Sequence, residues 1–338
     1  MTRTPKKLSR VVLRGFRSIR ECDVELKALN VLIGGNGAGK SNFLRFFSLV
    51  RELMEDGGRK YIDDHGGMDE LLHYDRESAP EISAELHFDT YGYAFSVLPD
   101  AEGRMDIDGE FFGAARAEDY VRQVTQNWSV YHFPAVTMIK QRTAHVDDNY
   151  FLHWDGDNLA AILFYVKQRH GAHYRRIIQT LRSVLPFFND FVLRPHADGI
   201  TRSELEWMEH GAEKPLKALQ LSDATIRFMC LVTLILQPES LQPDTILIDE
   251  PELGLHPFAV SVLGELLRAA SKTRQVIIST QSVDLLNEFE ADDIIVVDRA
   301  VGVTNLRRLD VDALKPQLEE YSLGELWLNN SLGGLPSR

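Results

Sequence analysis

The chain has 338 residues, of which 44% are hydrophobic and 26% charged, a composition typical of a globular protein of about two domains. Its formal net charge of −13 excludes a protein that coats nucleic acid through bulk positive charge. The two cysteines, Cys22 and Cys230, form no C-x-x-C pair, which argues against a disulfide framework and a structural zinc site.

No targeting or membrane-spanning segment is visible in the sequence. The basic N-terminus is not followed by an apolar stretch with a small-residue cleavage site. The apolar run 229–236 is far shorter than the roughly 20 residues of a membrane span. We therefore expect a cytoplasmic protein without a membrane partner.

The N-terminal part of the chain predicts strands followed by one helix. Short strands are expected over residues 8–13 and 24–26, and a buried strand over 28–33. Residues 40–55 repeat apolar side chains at helical spacing, and residues 56–67, rich in Gly, Asp and Arg, are expected to form a loop.

The middle of the chain predicts an antiparallel appendage and then helix. Residues 82–88 alternate apolar and polar side chains, as a half-buried strand does, and residues 100–113 are typical of hairpin loops. Residues 160–185 are mostly helical by pattern, and Pro186 ends that pattern.

The last third of the chain alternates helices and strands. This order predicts a mostly parallel sheet with helices on both faces. The predicted elements are a long apolar helix over 219–236, a strand over 245–248, an amphipathic helix over 259–270 entered after Pro257, and strands over 275–279 and 294–297.

A glycine-rich loop follows the predicted strand 28–33. It reads Gly34-Gly-Asn-Gly-Ala-Gly-Lys40-Ser41 and fits G-x-x-x-x-G-K-[ST]. In that motif the loop N–H groups and the next helix N-terminus cradle phosphates, while the lysine contacts the β- and γ-phosphates and the serine ligates Mg²⁺. The predicted nucleotide-binding residues are Gly34, Asn36, Gly37, Ala38, Gly39, Lys40, Ser41 and Asn42.

Two carboxylates end the predicted strand 245–248. Asp249 is suited to hold Mg²⁺, and Glu250 is suited to orient and deprotonate an attacking water. An isolated Asp-Glu pair is better explained by a solvated strand end. The phosphate loop in the same chain favours the catalytic interpretation, because carboxyl ends of parallel strands lie where such a ligand binds.

These motifs resemble those of ABC-type ATPases, in the branch of the SMC, RecF and OLD-type proteins. The likeness is carried by Arg14-Gly-Phe-Arg17-Ser-Ile19 near the start, Leu221-Ser-Asp-Ala-Thr225 at the signature position, Glu252-Leu-Gly-Leu-His-Pro257 at the D-loop and Ser279-Thr-Gln-Ser282 at the switch position. It is nearest to standalone bacterial ATPases of about this length.

The resemblance implies an α/β fold, namely an ABC-type P-loop ATPase head. Such a head has a mixed or antiparallel N-terminal sheet, a parallel core sheet and an α-helical lobe. Residues 1–55 and 219–338 would form its two lobes, with 56–218 inserted between them. The insertion would hold a β-rich appendage (about 70–135) and a helical region (about 155–190).

The resemblance also implies a head-to-tail dimer that closes around two ATP molecules. Lys40, Glu250 and Gln281 would be catalytic, and Ser222 of the second head would contact the γ-phosphate. The alternative for Ser222 is a plain helix N-cap. Arg14 and Arg17 would contact the nucleotide, the alternative being a basic surface strand. Ser41, Asp249 and Gln141 would bind the metal, and for Gln141 the alternative is a solvated turn.

Two residues depart from the family pattern. Ala224 stands where the signature has glycine, and Gln281 stands where many relatives have histidine. Gln281 can donate an amide hydrogen bond but cannot carry charge. Both changes are compatible with slow hydrolysis, or with a nucleotide-gated regulatory scaffold that hydrolyses little ATP.

The partner is expected to be a separately encoded effector. No heptad run lies between Ser41 and Ser222, and the chain offers no room for an appended nuclease domain. Relatives cluster around DNA repair and anti-phage defence. The basic first twenty residues are a plausible DNA contact, although a solvated terminus explains them equally well.

Overall fold

The computed structural model describes residues 7–55, 57–113, 117–133, 144–145, 148, 150–193, 202–203 and 205–334. The chain divides into two compact units. Unit 1 comprises Met1–Val130, Pro243–Glu250 and Ala270–Arg338, and unit 2 comprises Tyr131–Gln242 and Pro251–Ala269.

The first sheet of unit 1 is antiparallel, with the strand order β2-β1-β4-β5-β6. Its strands are β1 (Leu8–Phe16), β2 (Ile19–Glu25), β4 (Ile82–Phe88), β5 (Gly92–Pro99) and β6 (Met105–Phe112). The alternation that predicted β4 is confirmed, since its apolar residues are buried. The prediction of loop over residues 105–112 is wrong, because these residues pair along β5.

The second sheet of unit 1 contains the predicted parallel core. Strands β3 (Leu29–Ile33), β13 (Thr245–Asp249), β14 (Gln275–Thr280) and β15 (Ile294–Ala300) run parallel in the order β15-β3-β14-β13. β16 (Val303–Arg308), which was not predicted, pairs antiparallel with β15. All residues of β3, β13 and β14 are buried, as expected of strands covered on both faces.

The helices of unit 1 are α1 (Lys40–Met54), α2 (Gly58–Asp64), α3 (Met68–Leu71), α4 (Ala117–Thr125), α9 (Val283–Leu286), α10 (Val311–Leu318) and α11 (Leu323–Leu328). The apolar stripe that predicted α1 is confirmed: Phe43, Phe46 and Phe47 are fully buried, and the Phe47 ring lies 4.9 Å from that of Trp128. The loop predicted over 56–67 is instead helical at 58–64, because Ile62 joins the core.

Unit 2 is mainly helical, with α5 (Leu159–Arg169), α6 (Gly171–Val184), α7 (Asp223–Leu236) and most of α8 (Pro257–Ser271). The single helix predicted over 160–185 breaks at His170, whose backbone leaves the helical region. The short strands of unit 2 are β8 (Ala144–His145), β9 (Phe188–Val192), β10 (Arg202–Ser203), β11 (Glu206–Glu209) and β12 (Leu216–Lys217), and β7 (Val130–Tyr131) stands at the unit boundary.

The compact units are divided differently from the predicted lobes. Residues 56–130, predicted as part of an insertion, belong to unit 1, and residues 219–242 belong to unit 2. The reason is that β4 pairs with β1 along most of its length. The predicted appendage therefore completes the N-terminal sheet.

Among the described helices, none is both long enough and apolar enough to cross a bilayer.

Candidate functional site

The glycine-rich loop joins β3 to α1 and has the backbone conformation of an anion cradle. Gly37 and Gly39 have φ values of 75° and 113°, which favour glycine. A Cβ on Gly39 would lie 2.2 Å from Oγ1 of Thr304, so no larger residue fits. Gly39 is the N-cap of α1 and has no side chain that could accept a hydrogen bond from the first-turn amides. An anionic ligand is suited to accept these hydrogen bonds.

The Lys40 side chain lies inside this loop. Its side chain is 4% exposed, and its Nζ donates hydrogen bonds to the carbonyls of Gly34 (2.6 Å) and Gly35 (3.1 Å). A buried ammonium has a high desolvation cost, which an anionic partner offsets better than carbonyl dipoles do. Phosphate oxygens are such partners, so the loop and Lys40 together fit a polyphosphate.

A cavity of about 230 Å³ opens above the loop. This volume is below the roughly 300–1,000 Å³ of a pocket that encloses a whole small molecule, and it suits a polyphosphate chain rather than a complete nucleotide. The lining residues are Asn36, Gly37, Ala38, Gly39, Lys40, Ser41, Asn42, Glu250, Gln281 and Arg299. All but Arg299 were predicted as site residues.

The carboxylates at the end of β13 are placed by a backbone turn. Side chains alternate along a strand, but Glu250 has a φ of 49°, which breaks the alternation at a cost of about 1–3 kcal/mol. The Glu250 N–H donates to the carbonyl (3.1 Å) and the hydroxyl (3.2 Å) of Ser279. This turn directs Glu250 into the cavity, while Asp249 stays 9% exposed behind it.

Hydrogen bonds link the two carboxylates to β14 and to the residue after it. The Ser279 hydroxyl donates to Oδ1 of Asp249, and Nε2 of Gln281 donates to Oε1 of Glu250. Ser279 and Gln281 thus hold the two carboxylates in defined orientations. The Ser41 hydroxyl and the Asp249 carboxylate are oxygen donors of the kind Mg²⁺ prefers, so the donor set fits this ion.

Residues from distant parts of the chain support the loop, and sequence reasoning missed this role. Nδ2 of Asn42 donates to Oγ of Ser18 (2.7 Å). Oγ1 of Thr304 lies 2.8 Å from that Oγ and donates to the carbonyl of Ala38 (2.7 Å). Ser18 lies in the N-terminal motif, and this position was the only sign in the sequence that it has a role at the site. Thr304 offered none, because β16 was not predicted.

The C-terminal segment of the described chain also contacts the loop. The Gly35 N–H donates to the Gly334 carbonyl at 2.6 Å. Arg307 donates to the carbonyl of Leu332, and the Gly334 N–H donates to Asp298. Leu332 is 1% exposed. These contacts fix the start of the phosphate loop between β15 and residues 332–334.

Neither arginine predicted at the nucleotide lines the cavity. Arg14 is ion-paired with Glu21 (3.0 Å) and Glu85 (3.6 Å) on neighbouring strands. Arg17 is half-buried in the turn between β1 and β2, with a φ of 50°. Burial lowers the pKa of its guanidinium, as does the nearby Arg45. Their roles at the nucleotide stay predictions.

Ser222 lies in unit 2, at the N-terminus of α7. Its Oγ accepts a hydrogen bond from the Thr225 N–H at 3.1 Å, so it is an N-cap, and its side chain is exposed. Arg227, one turn later, donates to the carbonyl of Leu253. A Cβ on Gly254 would lie 3.6 Å from that of Ala224. The signature helix and the D-loop segment are therefore packed together.

Two further points concern residues of unit 2. Gln141, predicted at the metal, lies outside the described residues. His153 lies close to Asp155 and Asp157, with potential ligand atoms within 4.8 Å of one another. Nδ1 of His153 is 2.6 Å from Asp157, and its Nε2 is 3.2 Å from Asp148. Because these groups are engaged with one another, we assign no metal to them.

Solved structures share this fold at low sequence identity. An Smc head bound to the C-winged helix domain of ScpA superposes with a TM-score of 0.67 at 16% identity, covering 91% of this chain and 99% of the other. An Smc head with an extended coiled coil, bound to the C-terminal domain of ScpA, from Pyrococcus furiosus gives 0.66 at 14% identity, covering 93% and 98%. The SMC head domain from Thermotoga maritima gives 0.55 at 16%, covering 90% and 100%. No curated protein matches the chain.

A parallel core sheet with a phosphate loop on β3 and paired carboxylates on β13, in a fold shared with SMC heads, defines an ABC-type ATPase of the SMC-like branch. Within it, the chain belongs to the family described as "AAA domain, putative AbiEii toxin, Type IV TA system", whose model matches residues 29–287. The resemblance inferred from the motifs is thereby confirmed.

Proposed function

We propose that the protein binds ATP with Mg²⁺ and hydrolyses it to ADP and phosphate. The observation that carries this proposal is the convergence of Lys40, Glu250 and Gln281 on one cavity above the glycine loop. A glycine-rich cradle with a buried lysine binds the polyphosphate, and a carboxylate directed into the same cavity is placed to act on water.

In this proposal each residue has a separate task. Lys40 and the first-turn amides of α1 hold the β- and γ-phosphates and stabilise the charge that develops during transfer. Glu250 accepts the proton of the attacking water, and Gln281 keeps that carboxylate oriented. Ser41 and Asp249 would hold Mg²⁺, which offsets phosphate charge when bound.

We further propose that hydrolysis requires a second copy of the chain, whose Ser222 approaches the γ-phosphate. Support comes from the exposed position of Ser222 at a helix start, and from exposed apolar residues in and beside the D-loop segment. Leu253 is 47% exposed and Phe258 is 56% exposed. Large apolar side chains at the surface are typical of contact surfaces when they occur close together.

A Glu250→Gln variant tests this proposal. It should bind ATP as the wild type does but lose hydrolysis by roughly 10²–10⁴-fold, the usual contribution of a general base. It should therefore accumulate as an ATP-bound dimer, seen by light scattering at increasing ATP. Glu265→Gln on α8, an exposed position, is the control. A Glu250→Gln chain that stays monomeric with saturating ATP contradicts the composite site.

A nucleotide-gated scaffold with negligible hydrolysis is the second candidate. Ala224 and Gln281 favour it, since both depart from the pattern of efficient relatives. ATP binding and dimerisation without release of phosphate over hours would select the scaffold. The SMC head structures bound to ScpA domains support, for either candidate, coupling to a separate effector protein. We propose that this coupling serves DNA-linked or defence work.

The basic N-terminal region is a weaker route to DNA than its composition indicates. Arg10 and Arg14 pair with Asp23, Glu21 and Glu85. Such pairing reduces the positive charge available for phosphate contacts. Direct DNA binding by this region should therefore be weak, and a fluorescence-anisotropy titration at low salt would measure it.

A further inference from the structure

The predicted site residues that line the cavity surround the polyphosphate, and Arg14 and Arg17, predicted at the nucleotide, lie outside this lining. The strand order gives its direction. Glu250 and Gln281 follow β13 and β14 on one flank of β3, and Arg299 ends β15 on the other flank. Because the γ-phosphate belongs beside Glu250, the α-phosphate and nucleoside extend toward Arg299.

Arg299 connects the phosphate loop to the turn between β15 and β16. Its Nη1 donates to the Gly37 carbonyl at 3.2 Å, and its Nε donates to the Gly302 carbonyl at 3.1 Å. A guanidinium that bridges two backbone carbonyls holds both in a fixed relation. The tip of the hairpin, residues 301–302, is therefore fixed beside the loop.

Tyr74 lies against this hairpin tip with its ring exposed. The residue is 60% exposed, and its hydroxyl donates to the Val301 carbonyl at 3.4 Å. A Cβ on Gly302 would lie 1.4 Å from that hydroxyl, so only glycine leaves room for it. A φ of 65° at Tyr74 is uncommon for an aromatic residue and marks local backbone strain.

The other side of Tyr74 is fixed by its neighbour. His73 is 2% exposed, and its Nδ1 donates to the Arg17 carbonyl at 2.6 Å. The His73 backbone N–H donates to Gly15 at 3.0 Å. An exposed ring is thus held at both ends, by the β1–β2 turn and by the β15–β16 turn.

We propose that Tyr74 forms the nucleobase subsite, stacking on the purine of the bound ATP, and that Arg299 is the positioning residue that holds the hairpin beside the loop. A ring that is 60% exposed and bonded through its hydroxyl to Val301 is suited to stacking, which is tolerant of base identity. The cavity of about 230 Å³ is small for a whole nucleotide, so we place the base beyond it. This inference rests on the proposed ATP binding.

Comparing ATP with inorganic tripolyphosphate, which lacks the nucleoside, tests the proposal. Calorimetry on full-length Tyr74→Ala should show a loss of about 10-fold in ATP affinity, as expected for one stacked base. Tripolyphosphate affinity should change less than about 2-fold, because the polyphosphate contacts are intact. Tyr74→Phe keeps the ring and should bind ATP within about 3-fold of wild type. Phe111→Ala, an exposed aromatic on β6, should change neither affinity.

Gly302→Ala provides an independent test, because its Cβ displaces the Tyr74 ring. It should reproduce the ATP-selective loss, and the Tyr74→Ala/Gly302→Ala double variant should lose no more than Tyr74→Ala alone. Gly211→Ala is the matched control. Gly211 has a φ of 84° and no atom near its Cβ position, so this change adds similar backbone strain without a clash.

Two results would overturn the inference while leaving the proposed function intact. One is a Tyr74→Ala variant that binds ATP like wild type, and the other is an equal loss for ATP and tripolyphosphate. If wild type binds neither compound, or if Lys40→Ala affects neither, the proposed function fails and the nucleobase subsite fails with it.

Discussion

Two helices begin at proposed phosphate contacts, and their N-termini differ. α1 follows Gly39, which provides no side-chain cap, and has no acidic residue in its first turn. α7 follows Ser222, whose hydroxyl already accepts from the Thr225 N–H, and has Asp223 in its first turn. The N-terminus of α1 is thus suited to bind an anion, whereas that of α7 already has a side-chain cap. A phosphate contact by Ser222 would use its O–H as the donor, because the cap uses its oxygen only as an acceptor.

Removal of the Lys40 ammonium, at the N-terminus of α1, should have the largest effect, a loss of ATP affinity. Lys40→Ala removes charge-assisted hydrogen bonds of about 1.5–3 kcal/mol, so ATP affinity should fall by about 10- to 100-fold. Isothermal titration calorimetry measures the change, with Lys60→Ala on the exposed face of α2 as control. Undiminished ATP affinity would show that the α1 start is not the primary phosphate site.

Gln281→Met should give the next largest effect. This change keeps the side-chain length but removes the amide that donates to Glu250. Turnover should fall about 10-fold, the value of one hydrogen bond to a charged group, while ATP affinity stays within about 2-fold of wild type. A steady-state phosphate-release assay reports the first quantity. An equal loss of affinity and turnover would contradict an orienting role.

Substitutions of Ser222 test the N-terminus of α7 and should have a smaller effect. Ser222→Ala removes the cap and should destabilise the protein by about 1 kcal/mol, lowering the melting temperature by about 2–4 °C. Ser222→Asp retains a capping oxygen and should preserve stability. If Ser222 also contacts phosphate, both variants lose turnover at a temperature where both are folded. Full turnover by Ser222→Asp would leave Ser222 as a plain N-cap.

The smallest expected effect concerns the thiols. Burial raises the pKa of Cys22 to about 12 and raises that of Cys230 as well. Neither thiol should react with a disulfide reagent at pH 8 until the protein unfolds, when both should react. Since the unfolded Cys22 ionises near pH 9, its contribution to stability should fall as the pH rises toward 12.

Local patterns predicted the parts of the site that are contiguous in sequence. The phosphate loop and the Asp249–Glu250 pair each lie where a buried strand ends, so periodicity and motif located them. Arg299 and Thr304 reach the loop from other strands, and Ser18 reaches it from the β1–β2 turn, through pairing that no local pattern encodes. The same limit explains the break at His170, since the pattern continues through it.

The antiparallel sheet shows a related limit. Alternation predicted β4, but not that β4 would pair with β1, because pairing partners are chosen in three dimensions. Residues 105–112 carry polar side chains on both faces, as an exposed edge strand can, so their sequence resembles a loop. The ion pairs of Arg14 were hidden for the same reason, since its acidic neighbours Glu21 and Glu85 become apparent only in the sheet.

The hydrogen bond between Gly35 and Gly334 joins positions separated by almost the whole chain. During synthesis, β3 and α1 leave the ribosome early, but the segment that fixes the start of the phosphate loop emerges nearly three hundred residues later. Contacts of such long separation form late in folding. A nascent chain can therefore complete the contacts around the phosphate loop only after residue 334 has been synthesised.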